Sequence, residues 1–122
     1  MANDISNGNG HLLVNSTTGF VSRDAFVNPD IHQLELERIF TRTWIYLAHE
    51  SEVAAAGDYV VRDLGGAPVI VVRQDDGTIT ALLNSCRHRG TELCRAKAVN
   101  VHTFVCPYHG WVYERDGKLR TT

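Results

Sequence analysis

Cys86-Arg87-His88 and Cys106-Pro107-Tyr108-His109 each set a thiol and an imidazole within a few residues of one another, in a chain with three cysteines and six histidines. Seventeen residues separate His88 from Cys106. Both pairs reach one metal centre only if the backbone turns sharply beneath them, and Gly90, Pro107 and Gly110 supply that turning chemistry beside the donors. The fold must therefore bring two ligand-presenting loops to one place. Two centres suit such donors: a tetrahedral Cys2His2 zinc site that staples the fold, or a 2Fe-2S cluster with two Cys on one iron and two His on the other. Spacing alone leaves both open. It favours iron-sulfur, because zinc fingers place Cys with Cys and His with His, whereas each loop here carries one of each, as needed if each spans both irons.

Three cysteines cannot pair completely, and clustered Cys and His point to metal or redox chemistry before disulfides. The 122 residues suit one module with a real core, small for a complete enzyme with its own substrate pocket. Hydrophobic residues at 43% and charged residues at 21% are values of a globular chain. No run approaches eighteen apolar residues, and MANDISNGNG has neither the basic start nor the apolar core of a signal peptide. A cytoplasmic location and no membrane partner are expected. Twelve Lys and Arg against fourteen Asp and Glu give a formal charge of -2 with no basic stripe, so no nucleic-acid partner is expected either.

Residues 1–11, rich in Asn and Gly, are expected to be a mobile N-terminal tail. Residues 12–50 form a lead-in. In NPDIHQLELERIFTRTW, Asp30 offers a cap with Gln33 three residues later, and Ile31, Leu34, Ile39 and Phe40 return to roughly one face, which predicts a helix over 29–42 docked by that face. WIYLA, Trp44 to Ala48, is aromatic and β-branched and predicts a strand. Over 51–122 the texture becomes short strands and tight turns: DYVVRD before LGGA, PVIVVRQ before DDG, TITALLN into Cys86, VHTFVC into the second loop, and a closing hairpin of WVYER, DGK and LRT. The expected fold is mainly β, an antiparallel β-sandwich or barrel with a short N-terminal helix and two metal loops at its tip.

CRHRG followed by CPYHGW resembles the Rieske signature, and specifically the Rieske domain of bacterial ring-hydroxylating oxygenase large (alpha) subunits. The likeness extends through ERIFTRTWIYLAHESEV, GDYVVRDLGGAPVIVVRQDDGTITALLNSCRHRG and YHGWVYERDGKL, from about Val21 to the end. The resemblance implies a Rieske-type 2Fe-2S cluster with Cys86 and Cys106 on the inner iron and His88 and His109 on the outer one. Imidazole ligands put less negative charge on the cluster than thiolates, so its potential lies above that of an all-cysteine cluster. High-potential Rieske proteins carry an extra cysteine where this chain has Thr91 and Tyr108, and a serine where it has Trp111; without them a potential near the lower end of the Rieske span, roughly -150 mV, is expected.

Around the ligands, Cys94 reads as a small buried residue and not a reactive thiol. Arg87 and Arg89 suit either an acidic partner or plain solvation. Trp111 and Tyr113 suit core packing, cluster shielding or, for Tyr113, a hydrogen bond to a cysteine sulfur. His11, His32, His49 and His102 have no ligand-spaced partner.

In the resembling family, oxygen chemistry takes place in a C-terminal domain where two histidines and a carboxylate hold a mononuclear iron. No D/E-x-x-H-x-x-x-x-H pattern occurs here, so the catalytic domain is expected to be absent and no catalytic residue is assigned. The resemblance implies the electron-transfer domain of an aromatic-ring-hydroxylating oxygenase, an oxidoreductase, with a ferredoxin or reductase as donor. The acceptor it implies is the catalytic domain of a neighbouring alpha subunit, which His109 faces. The alternatives are a stand-alone Rieske ferredoxin, against which the lead-in from Phe20 to Glu50 argues, and a zinc-stapled binding module.

Overall fold

The chain divides into two units, Met1–Trp44 and Ile45–Thr122. A computed structural model describes residues 5–6, 12–96 and 98–122. The tail expected over 1–11 lies outside the described residues except for Ile5–Ser6, which form β1, antiparallel to β2 (Leu12–Asn15). β3 (Phe20–Val21) completes a three-stranded sheet. The β2–β3 turn is held by the Asn15 side chain, whose carbonyl accepts from the Thr17 and Thr18 amides.

α1 (Asp24–Val27) and α2 (Pro29–Glu35) follow. Asn28, not Asp30, caps α2: its side chain accepts from the Asp30 amide at 2.9 Å. The reason is Pro29, which suits the first helical position and holds the residue before it extended, at φ -83 and ψ 118. Asp30 then lies in the first turn, where its charge favours the helix N-terminus. The helix continues as a π turn, Leu36–Phe40, and stops short of the expected Arg42. Side chains end it: Thr41 Oγ1 and Arg42 Nε donate to the Glu37 carbonyl, and Thr43 Oγ1 to that of Ile39. Ile31 is buried and Leu34 and Phe40 are half-buried, but the wider turn carries Ile39 off that stripe into solvent.

In the second unit a 3-10 turn, Glu50–Val53, is capped by His49, whose ring accepts from the Ser51 amide while the Glu52 carboxylate accepts from the His49 amide. The strand predicted over 44–48 does not form. The guanidinium of Arg62 takes the Leu47 carbonyl that a ladder would use, and Leu47 and Ala48 instead pack on Val53, Val60 and Val71. Trp44 is fully exposed.

β4 (Asp58–Leu64), β5 (Ala67–Arg73), β6 (Ile79–Leu83) and β7 (Ala98–Asn100) form an antiparallel sheet in the order β6-β5-β4-β7. β8 (Phe104–Val105), β9 (Val112–Tyr113) and β10 (Leu119–Thr121) form a second, in the order β10-β9-β8. The β4–β5 register pairs Tyr59 with Val72 and Val60 with Val71. Side chains alternate between faces, so Tyr59, Ile70 and Val72 meet Phe104 and Tyr113 of the second sheet, whereas Val60 and Val71 cover the other face with Val53. That double burial explains why β5 reads as a continuous apolar run and β4 as a shorter one at Tyr59–Val61, while β6, with one half-buried face, alternates. Cys86, Cys94 and Cys106 belong to the core between the sheets, so the two loops rise directly from it. Among the described residues no helix is long and apolar enough to cross a membrane.

Candidate metal centre

The first loop leaves the end of β6 and the second joins β8 to β9. Their sequences differ, yet they close alike. Cys86 N donates to Thr91 O at 2.8 Å and Gly90 N to Cys86 O at 2.7 Å; Cys106 N donates to Trp111 O at 2.7 Å and Gly110 N to Cys106 O at 3.0 Å. In each, the cysteine bonds the fourth and fifth residues after it. The closing glycines have φ of 72 (Gly90) and 78 (Gly110), a left-handed conformation that costs a residue with a Cβ about 1 kcal/mol or more.

The donors separate by depth. Cys86 and Cys106 are free thiols buried to 2% and 4% exposure, whereas His88 and His109 are exposed. The two histidine Nδ1 atoms face each other at 3.2 Å. Each ring is backed by an aromatic: Trp111 of the second loop stacks on His88 of the first, with planes 7° apart, and Tyr108 stacks on His109 with centroids 3.9 Å apart. Among the described residues no three His, Cys, Asp or Glu side chains gather as a site for one ion. Thiols at the base and imidazoles at the surface suit a two-iron centre with divided ligands better than a single tetrahedral zinc.

The thiol end is electrostatically prepared. Burial pushes the Cys86 thiol up, but bonds from the Tyr113 hydroxyl, the His88 and Arg89 amides and the Cys106 thiol outweigh it and hold the group below the usual range. This favours thiolate, the metal-binding form. The Tyr113 hydroxyl accepts from Arg87 N at 3.1 Å and lies 3.2 Å from Cys86 Sγ; having accepted one proton, it has its own to donate to the sulfur. Cys94 differs: burial pushes its thiol up and the Tyr59 hydroxyl only partly offsets that, which leaves a packed, protonated side chain.

Asn84 was not singled out by sequence. It is fully buried, and its side chain accepts from the Leu93 and Cys94 amides at 2.9 Å each and donates to the Cys94 carbonyl at 2.7 Å. These bonds tie the end of the first loop to its start. A signal existed: the inward alternation of Thr80 and Leu82 continues to Asn84, so an amide falls at a core position.

Residues 43–122 match the Rieske [2Fe-2S] domain. The chain is 45% identical over 107 residues to the alpha subunit of benzene 1,2-dioxygenase from Pseudomonas putida, an alignment covering 88% of this chain and 24% of that protein. It is 46% identical over 99 residues to the alpha subunit of N,N-dimethyl phenylurea N-demethylase from Sphingobium, covering 81% and 22%. Among solved structures, naphthalene 1,2-dioxygenase from Rhodococcus superimposes with a TM-score of 0.79 at 46% identity, covering 84% of this chain and 23% of that one. The chain thus spans about a quarter of the length of the curated relatives it matches. On this evidence it belongs to the Rieske [2Fe-2S] domain family, whose members carry a Rieske-type cluster.

Proposed function

We propose that Cys86 and Cys106 hold the inner iron and His88 and His109 the outer iron of the [2Fe-2S] cluster. On this reading the chain is the electron-transfer domain of the alpha subunit of an aromatic-ring-hydroxylating oxygenase. A ferredoxin or reductase supplies electrons, and the mononuclear-iron domain of a neighbouring alpha subunit receives them. The observation that carries the reading is the division of donors: two buried thiols below, two exposed imidazoles with facing Nδ1 atoms above. When bound, the cluster supplies one-electron carriage at a potential above that of all-cysteine clusters.

The chain's own residues set the conditions for that carriage. Trp111 covers one face of His88 and limits water there, while the exposed edges of His88 and His109 leave a short route to a partner. The Tyr113 hydroxyl donates toward Cys86 Sγ and so favours the more negative, reduced state. A stand-alone ferredoxin is disfavoured because the alignment with an oxygenase alpha subunit extends upstream of residue 43 into the lead-in.

Redox titration tests this. A single one-electron wave near about -150 mV is expected; a wave near about -400 mV would indicate all-cysteine ligation and refute the ligand set. Tyr113→Phe removes a bond worth about 1 kcal/mol to the reduced state, equivalent to a fall of roughly 40 mV for a one-electron couple. An unmoved potential would show that the hydroxyl does not reach the cluster.

A further inference from the structure

We propose that the first loop is the docking surface for the electron donor, and that the donor presents an acidic protein surface to it. The inference rests on the electron-transfer reading above and assigns the donor to one of the two loops. The loops share a backbone closure but not a charge. Between Cys86 and Gly90 lie Arg87, His88 and Arg89; between Cys106 and Gly110 lie Pro107, Tyr108 and His109, with no charged side chain. Arg87 and Arg89 are exposed, and among the described residues neither side chain has a carboxylate or hydrogen-bond partner, since the ion pairs formed use other cations.

Exposed Arg95 follows Cys94, whose backbone Asn84 binds to the base of the same loop. Glu92 is the one carboxylate within residues 85–96. In a chain of net charge -2, this is a local excess of cations beside an exposed imidazole. Unpaired guanidinium groups at an interface rim raise the encounter rate with an anionic surface and make it sensitive to salt, the behaviour required of a carrier that arrives, delivers and leaves. The second loop, with Tyr108 exposed and stacked on His109, has no such charge to steer a transient partner. One electron leaves the reduced donor, which is oxidised, and enters the cluster held here, which is reduced; no bond forms or breaks.

The test uses the cluster-loaded chain with an acidic plant-type [2Fe-2S] ferredoxin as probe. Calorimetry gives the Kd for the oxidised probe, and stopped flow gives the rate of reduction by the reduced one, each across a salt series. The double variant Arg87→Gln/Arg89→Gln, which keeps the Arg87 amide that bonds Tyr113, is expected to weaken affinity and slow reduction about tenfold at low salt. The difference should vanish at about 1 M salt, where the screening length is about 3 Å. Arg87→Lys/Arg89→Lys should restore both, and dithionite should reduce every variant to the same Rieske signal.

If affinity and salt dependence are unmoved in a cluster-loaded double variant, the docking surface is wrong while the electron-transfer reading stands. If the unmutated chain shows no Rieske signal with dithionite, the underlying reading fails and takes this one with it. A DNA duplex bound as tightly as the ferredoxin would mark a general polyanion site and overturn the proposal.

Discussion

Replacing Cys106 by serine is expected to yield a chain with no bound cluster: iron and sulfide lost and the visible absorption gone. The position supplies a buried sulfur, at 4% exposure, directly below a loop closed by its own backbone, and the third buried thiol, Cys94, is held protonated and engaged with Tyr59. A serine hydroxyl stays protonated at neutral pH and is a hard donor where iron-sulfur chemistry calls for a soft thiolate. Cys94→Ala is the matched control. Its thiol is buried, held protonated and engaged with Tyr59, so the colour should survive. Iron quantification and absorption on both purified variants check this, and bleaching by Cys94→Ala with retention by Cys106→Ser would reverse the ligand assignment.

Asn84→Ala should cost at least about 3 kcal/mol, because it strips partners from two amides and a carbonyl at a fully buried site. For a unit of this size that corresponds to a fall in Tm on the order of 15 °C. The adjacent Leu83→Ala provides the comparison: Leu83 is 63% exposed, and its loss should shift stability by no more than about 0.5 kcal/mol. Equal melting temperatures for the two variants would mean that the Asn84 bonds do not hold the loop.

The ligand candidates were legible because their chemistry demands fixed residue types at short spacing, and nothing else in the chain places Cys beside His in this way. Tyr113 was half legible. Its hydroxyl was a candidate for a sulfur bond, but that it also accepts from Arg87 N, which aims its proton at Cys86, follows from the packing of β9 under the first loop. The β6 alternation marked Asn84 as a core amide, but its partners were not legible, because they lie nine and ten residues away along an irregular segment whose path no periodicity records.

The strands β4 and β5 announced themselves through β-branched runs, whereas WIYLA, of similar composition, failed to become one. Composition says that a segment suits a pleated surface; it does not say whether a ladder partner is free, and here Arg62 occupies the Leu47 carbonyl. The helix shows the same limit at its start. Asp30 looked like the cap, but the restriction Pro29 places on the residue before it moved the cap to Asn28.

On the proposed reading, two buried thiols and two exposed imidazoles hold a two-iron cluster. Absorption and EPR spectra before and after dithionite, with iron, zinc and sulfide quantified on the same sample, test it most directly. A red-brown oxidised form that gives a Rieske-type signal on reduction, with iron and sulfide in equal amounts, is the predicted result. A colourless protein holding one zinc and no sulfide would contradict it and make the four side chains a structural staple.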